Sequence, residues 1–207
     1  TNLEHISLPQ MLERLGGYAF KDCNKLSSVS IPNKVTEIGQ ATFSGCSVLK
    51  DIYIPPEVEY IGPLAFGRCI ELERILLSDK LRSIGNYAFA ECENLVSVDM
   101  SKVRNLEDIG EGAFLGCTAM KSITVPTGVA NIADTTFMDC KELGNIVLPD
   151  GILTIGEGAF GGCESLPEIS IPDSVVVLGN YAFSKCNALK EVNLSEMRLE
   201  PYYGDSA

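Results

Sequence analysis

Apolar residues recur along this chain with a period of 23 residues. One phenylalanine marks each period, and its positions are Phe20, Phe43, Phe66, Phe89, Phe114, Phe137, Phe160 and Phe183. A cysteine follows three residues later each time, at Cys23, Cys46, Cys69, Cys92, Cys117, Cys140, Cys163 and Cys186. No Phe or Cys lies outside these two series. A fixed period of this length indicates a repeat architecture, in which equivalent side chains of stacked repeats form continuous core columns.

Each repeat also contains a predicted β-strand. Two apolar positions alternate with a variable one, as in Val29-Ser30-Ile31, and a proline usually follows. This alternation is typical of a half-buried strand, and the proline ends it because proline cannot donate to a strand ladder. Stacking of the copies predicts a parallel sheet whose strands lie about 4.8 Å apart.

The pattern V-x-x-I-G-x-x-A-F-x-x-C predicts the return path of each repeat. We expect a short helix or helical turn around A-F-x-x-C, and the V-x-x-I-G segment is compatible with a second short strand. Glycine usually follows the isoleucine, but Ala133 takes its place in one copy. Close packing or a flexible turn explains this glycine better than a need for positive φ, which would make alanine costly.

These patterns predict one solenoid domain over residues 1–207, with about nine repeats of which the first is truncated. The chain starts in mid-repeat, so we expect further residues before Thr1 in the natural protein. One longer gap predicts a two-residue insertion between Met100 and Ile109, in a loop where added length is tolerated. The segment 196–207 leaves the pattern and is interpreted as a tail or C-terminal cap.

The consensus L-x-x-I-x-I-P-x-x-V-x-x-I-G-x-x-A-F-x-x-C resembles the BspA-type leucine-rich repeat of bacterial surface proteins. Copies such as LKDIYIPPEVEYIGPLAFGRC match it almost slot for slot, and the resemblance covers roughly residues 3–195. It implies a right-handed leucine-rich-repeat superhelix with a parallel concave β-sheet and short turns or helical segments on the return path. It also implies a secreted or cell-surface protein that acts in adhesion or binding, without a ligand common to the family.

The charge of the chain restricts its partners. The 28 acidic and 16 basic side chains give a net charge of −12, whereas nucleic-acid binders need clustered Lys and Arg to release counterions. No polybasic stretch could hold an anionic membrane, and no apolar run is long enough to cross one. We therefore expect neither nucleic-acid binding nor membrane insertion, and we expect a monomer.

The eight cysteines allow two interpretations. An exported protein could use them as a disulfide framework. Alternatively they form a ladder of buried free thiols, because cysteine often packs as a small hydrophobe. Their even spacing, one per repeat in a core slot, favours free thiols. It also spreads the sulfurs along the axis instead of converging four on one ion, so no metal site is predicted.

Few residues could support catalysis. The single histidine, His5, lies at a strand position predicted to face outward, where a nucleophile–histidine pair would lack a pocket. The glycine-rich GEGAFGGC around Gly161 lacks the Lys-Ser/Thr of a phosphate-binding loop and repeats the return-path pattern. The sequence predicts no catalytic residue and no cofactor, and therefore no enzyme.

Two columns of outward strand positions vary freely between repeats, whereas the core positions hardly change. Apolar side chains stand in one of these columns, where solvent is expected, and Arg is a common interface anchor together with aromatic residues. The candidate ligand-binding residues are Tyr53, Arg74, Leu76, Asp99, Thr124 and Val147. An unconstrained surface would show the same free variation, so ordinary surface is the alternative interpretation.

The predicted function is a non-catalytic cell-surface or secreted module that recognises a protein or a glycan, including one of a host organism, through the concave sheet. A structural spacer is one alternative. The recognition arm of a larger surface protein or enzyme is another, which the mid-repeat start would permit.

Overall fold

The computed structural model describes residues 1–193, which form a solenoid of parallel β-strands in two sets. The three-residue strands form the long-strand face and are β1 (His5–Ser7), β2 (Ser28–Ser30), β4 (Asp51–Tyr53), β6 (Arg74–Leu76), β8 (Ser97–Asp99), β10 (Ser122–Thr124), β12 (Asn145–Val147), β14 (Glu168–Ser170) and β16 (Glu191–Asn193). The two-residue strands form the short-strand face and are β3 (Glu37–Ile38), β5 (Tyr60–Ile61), β7 (Ser83–Ile84), β9 (Asp108–Ile109), β11 (Asn131–Ile132), β13 (Thr154–Ile155) and β15 (Val177–Leu178). The predicted tail at 196–207 lies outside the described residues.

The register of the sheets confirms the predicted repeat. Within each sheet, every strand pairs in parallel with the equivalent strand of the next repeat, as in Asp51↔Arg74 on the long-strand face and Tyr60↔Ser83 on the short-strand face. The ladders are interrupted between β2 and β4, β9 and β11, and β12 and β14. The long strands β4 to β12 form one five-stranded sheet in the order of the chain. The second short strand expected at V-x-x-I-G is therefore present, and it gives the solenoid a second ladder.

A column of phenylalanine rings lies along the solenoid axis. Neighbouring ring centroids are 5.3–5.6 Å apart, and the ring planes differ by 1–15°. The rings from Phe43 to Phe160 have no solvent-exposed surface. Because a single repeat has no second ring to cover its own, each Phe is buried only through its two neighbours.

All eight cysteines are free thiols, as their even spacing predicts. Seven of them are buried and Cys186 is partly buried. From the second repeat onward, each Sγ donates a hydrogen bond of 3.1–3.3 Å to the carbonyl oxygen of the Phe in the preceding repeat, for example Cys92 to Phe66. The thiols therefore join the repeats by directed bonds in addition to packing.

The return path around A-F-x-x-C is a series of turns, and no helix occurs among the described residues. We call this side the turn face. Two positions in every repeat have positive φ, as at Tyr87 (56°) and Glu91 (58°). With this backbone conformation, every second N–H group of the turn points to the next repeat. The N–H groups of Tyr87, Phe89 and Glu91 donate in this way. Their acceptors are the carbonyls of Glu111, Ala113 and Leu115, respectively. A helix would instead keep all of these bonds inside one repeat.

The glycine after each short strand is explained by close packing, which was one of the two explanations the sequence favoured. A Cβ on Gly85 would lie 2.6 Å from the backbone nitrogen of Pro63 and 2.8 Å from the carbonyl carbon of Gly62. These atoms belong to the preceding repeat, and Gly85 is not among the residues with positive φ. The glycine therefore allows neighbouring backbones to approach.

The predicted insertion lies between β8 and β9, in the loop that joins the two strand faces. It does more than lengthen a loop, because Val103 within it is buried to 2% exposure. The Val103 N–H also donates to the Met100 carbonyl at 3.0 Å. The insertion thus adds an apolar side chain to the core.

Candidate binding surface

The long-strand face presents two columns of side chains to solvent. In each strand from β4 to β14 the middle residue is buried and the two flanking residues are exposed. This follows from the alternation of side-chain direction along a strand. All six candidate residues occupy flanking positions and are exposed.

Four of the candidate residues form one cluster on strands β4, β6 and β8. Tyr53 is the register partner of Leu76, which is in turn the partner of Asp99. The side chains of Tyr53 and Leu76 are 53% and 51% exposed. Together with Arg74 these residues border a shallow depression of about 390 Å³. The cluster combines an aromatic ring, an aliphatic side chain and a guanidinium group on one open surface.

Arg74 lies in the other outward column of the same cluster. Its register partners are Asp51 on one side and Ser97 on the other. Among the described residues its guanidinium forms no ion pair with a carboxylate, whereas Arg14, Arg68 and Arg82 each do. The five donors of its guanidinium are therefore available to an external acceptor.

Asp99 has a structural partner as well as an exposed side chain. Its Oδ1 accepts a 2.9 Å hydrogen bond from the N–H of Ser101, at the start of the insertion. Hydrogen bonds from Ser101 lower the pKa of Asp99, and Lys102 lowers it to a smaller extent. The carboxylate is therefore held in its charged form beside Leu76.

Thr124 and Val147 form a second, separate group. They are register partners on β10 and β12. Between β8 and β10 only the pair Ser97↔Ser122 remains in register, because the insertion follows β8. Asp99 and Thr124 are consequently not register partners. The structure thus brings together four of the six predicted residues and places the other two beyond a break in the ladder.

Further exposed apolar side chains lie on the other two faces, where the sequence suggested no site. Leu153, Val176 and Val177 are 47–56% exposed at neighbouring positions of the short-strand face. On the turn face, Tyr181 is 74% exposed beside a depression of about 300 Å³ at Gly158 to Gly162. The sequence could have indicated the depression on the turn face, because three glycines replace larger side chains in that turn.

Residues for chemistry are sparse in the described part of the chain. His5 is exposed on β1, as predicted. No group of three or more His, Cys, Asp or Glu side chains within residues 1–193 could hold a metal ion. The same residues include no helix that is long and apolar enough to cross a membrane.

Burial makes the thiols poor nucleophiles. It raises the pKa of Cys46, Cys92 and Cys140 to about 12, with smaller contributions from neighbouring groups. A thiolate is the reactive form of cysteine, and little of it exists at neutral pH when the pKa is raised. The buried ladder therefore has a structural role.

Comparison with solved structures places the fold among bacterial leucine-rich repeat proteins. The leucine-rich repeat protein of T. pallidum is 34% identical and superposes with a TM-score of 0.71, over 77% of this chain and 76% of its own length. A leucine-rich cell surface protein of Faecalibacterium prausnitzii is 30% identical, with a TM-score of 0.72. That alignment covers 90% of this chain but only 48% of the F. prausnitzii protein.

Comparison with protein-family models gives the same result from the sequence. The model of the BspA-type leucine-rich repeat region matches in six copies, over residues 1–119 and 107–202. The comparison with curated proteins found no match. Neither the family nor these neighbours indicates an enzyme. Since the family model covers nearly the whole chain, the chain belongs to the BspA-type leucine-rich repeat family.

Proposed function

We propose that this chain is a non-catalytic binding module of the cell surface or the extracellular space, which recognises a protein or a glycan through its long-strand face. The contact residues would be Tyr53, Arg74, Leu76 and Asp99, with Thr124 and Val147 as a secondary group. No cofactor takes part in this function, and the module acts as a monomer.

The exposed pair Tyr53 and Leu76 carries this proposal. Register places the two side chains directly beside each other, each about half exposed, in a column whose other members are polar except for Val147. Aromatic and Arg side chains are enriched among the residues that dominate interface energies, and both types occur within this cluster. An apolar pair bordered by Arg74 and Asp99 has the composition of an interface centre with a polar rim.

The surface location is proposed from the relatives. BspA-type repeats are typical of bacterial surface proteins, and the F. prausnitzii neighbour is called a cell surface protein. The chain spans about half the length of that neighbour. A role as a spacer, or as the recognition arm of a larger surface protein, is the alternative that this length difference supports.

A double variant tests the long-strand face. Tyr53→Ala combined with Arg74→Ala should weaken binding in a glycan array or in a pull-down from host proteins by at least tenfold, because truncation of two central anchors costs more than about 1.4 kcal/mol. The matched control is Ser28→Ala combined with Ser170→Ala, on the same face but outside the cluster. Full binding by the double variant would exclude the cluster as the contact site.

A further inference from the structure

The turn around Phe160 differs from every other described turn. Three positions recur in each turn of the turn face: the two positions with positive φ and the residue directly after Phe. Only in this turn are all three glycine, at Gly158, Gly161 and Gly162. The resulting depression, the glycine groove, has a volume of about 300 Å³. The larger side chains of the preceding and following turns form its walls.

The side chains of the preceding turn lie close to the glycines and form one wall of the groove. A Cβ on Gly158 would lie 3.7 Å from Cγ2 of Thr135 and 3.9 Å from Sδ of Met138. A Cβ on Gly162 would overlap Oδ1 of Asp139, so this carboxylate lies directly above Gly162. The inner lining is therefore apolar near Gly158 and negatively charged near Gly162.

The opposite wall comes from the turn that contains Tyr181. The Tyr181 side chain is 74% exposed, and Lys185 from the same turn also lines the groove. The distance between the two walls follows from the phenylalanine column beneath them. The ring centroids of Phe137 and Phe160 are 5.6 Å apart, and those of Phe160 and Phe183 are 5.5 Å apart. This spacing leaves room for one flat group between the walls, because a stacked ring needs about 3.5 Å on each side.

The charge around the groove favours a cation. Asp139 and Glu157 both line it, against the single basic residue Lys185. Residues 134–193 contain nine Asp and Glu but three Lys and no Arg. All five ion pairs formed between two described side chains lie between residues 14 and 107. Neither Asp139 nor Glu157 is therefore neutralised by an ion pair with a described side chain.

We propose that the glycine groove binds an arginine side chain of a basic partner protein. The guanidinium stacks on the exposed ring of Tyr181 and donates hydrogen bonds to the carboxylates of Asp139 and Glu157. Its aliphatic stem passes over Met138. Arginine suits this site better than lysine, because the guanidinium is planar, weakly hydrated and able to bond a carboxylate through two N–H groups at once. This second contact does not depend on the cluster around Tyr53.

A titration followed by NMR tests the proposal directly. The probe is the tripeptide amide acetyl-Gly-Arg-Gly-NH2, added to the complete ¹⁵N-labelled chain at low salt, where screening of charges is weak. We expect saturable shifts of the amide resonances of Gly158, Gly161 and Gly162. The lysine analogue should bind at least threefold more weakly. A methyl pyranoside, as a probe for glycan, should give no saturable shift at these amides.

Variants separate the groove from general effects. Gly161→Leu fills the groove and should weaken binding at least tenfold; it is compatible with the fold because Leu115 occupies the same position two turns earlier. Gly67→Leu is the matched control at the same position of a distant turn, where a Cβ would meet only the flexible end of the Leu64 side chain within 3.4 Å. Asp139→Asn should weaken binding, whereas Glu168→Gln removes the same charge from the long-strand face and should not.

Three results would overturn the proposal. They are the absence of saturable shifts with the arginine peptide, unchanged affinity in Gly161→Leu, and a preference for the pyranoside. None of them affects the proposed role of Tyr53 and Arg74, which is tested on another face with another readout.

Discussion

From Cys46 onward, each cysteine of the ladder both fills a core position and donates a hydrogen bond. The thiol is small and apolar enough to fill a core slot, and its S–H group also donates a hydrogen bond. The carbonyl of Phe66, for example, accepts from the N–H of Cys69 in its own turn and from Sγ of Cys92 in the next repeat, both at 3.1 Å. A carbonyl oxygen has two lone pairs, so both bonds can form. Alanine in this slot would leave a gap and remove the second bond.

The buried thiols make stability sensitive to alkaline pH. In the unfolded chain a thiol loses its proton near pH 8.5, whereas burial raises the pKa of Cys92 to about 12 in the folded chain. The folded chain then holds more protons, so its stability is complete below about pH 8.5 and declines as pH rises towards 12. The loss is at most about 1.4 kcal/mol per pH unit for each thiol.

Urea unfolding between pH 7.5 and 11 under reducing conditions measures this effect. The midpoint should fall progressively above about pH 8.5. Cys92→Ala serves as control. It removes one of the buried thiols, so the urea midpoint should decline less steeply with pH in this variant. A midpoint that is constant up to pH 11 would contradict the buried, protonated ladder.

The phenylalanine column should tolerate truncation poorly. Phe89 has no exposed surface and stacks on Phe66 and Phe114 at 5.3 and 5.5 Å. Phe89→Ala should therefore reduce the free energy of unfolding by about 3–5 kcal/mol, through lost contacts and a cavity. Thermal unfolding followed by circular dichroism measures the change. Tyr53→Ala removes an exposed aromatic ring and is the control; equal effects of the two variants would mean that Phe89 is not a core residue.

At the scale of the element, the strands could be predicted from the sequence and the turns could not. The alternation at Val29-Ser30-Ile31 and its equivalents predicts a core residue at the middle of each strand between two exposed residues, and the long strands from β4 to β14 show this arrangement. The conformation of the turns depends on two positive-φ positions per repeat. Glycine occupies only five of these sixteen positions, while residues such as Tyr87 and Arg68 fill others, so no residue type revealed them.

The candidate surface shows the same division. The outward columns follow from the period, and all six candidate residues are exposed. Their grouping depends on the register at the insertion, where β8 and β10 share one pair instead of three. The bond from the Ser101 N–H to Asp99 also depends on the local backbone path. Neither feature follows from the spacing of residues.

The glycine after each short strand allows a matched pair of variants. Gly85→Ala places a Cβ within 2.8 Å of the preceding repeat and should cost about 1–3 kcal/mol of stability. Gly16 occupies the same slot in the first repeat, but a Cβ there meets nothing within 4 Å. Gly16→Ala should leave stability unchanged or raise it by up to about 1 kcal/mol. Urea unfolding compares the two, and equal costs would contradict the role assigned to close packing.

At the scale of the molecule, the five-stranded sheet of long strands from β4 to β12 has one irregular step. The insertion after β8 reduces the long-strand ladder between β8 and β10 to a single register pair, although the Phe89–Phe114 stacking distance of 5.5 Å is ordinary. The core is thus continuous where one surface ladder is interrupted. In a repeat protein the interface between neighbouring repeats sets the local stability, so this interface should open more readily than the fully paired interfaces β4–β6 and β6–β8.

Hydrogen exchange tests this local weakness. Amides in the segment 97–106 should exchange faster than those in the equivalent segment 74–81, which has a full register of three pairs on both sides of β6. Mass spectrometry of peptic peptides provides the comparison within one sample. Equal protection of the two segments would show that the core alone determines the stability of this interface.

The cysteines of the thiol ladder can also serve as natural probes of the unfolding pathway. Each turn carries one sulfhydryl, shielded while that turn is closed, and the eight differ in the tryptic fragment that contains them. Brief exposure to an alkylating reagent would therefore mark every turn that has opened, and fragment masses would give the order of opening along the axis. Such a map normally requires a panel of engineered single-cysteine mutants, whereas this chain provides it without any substitution.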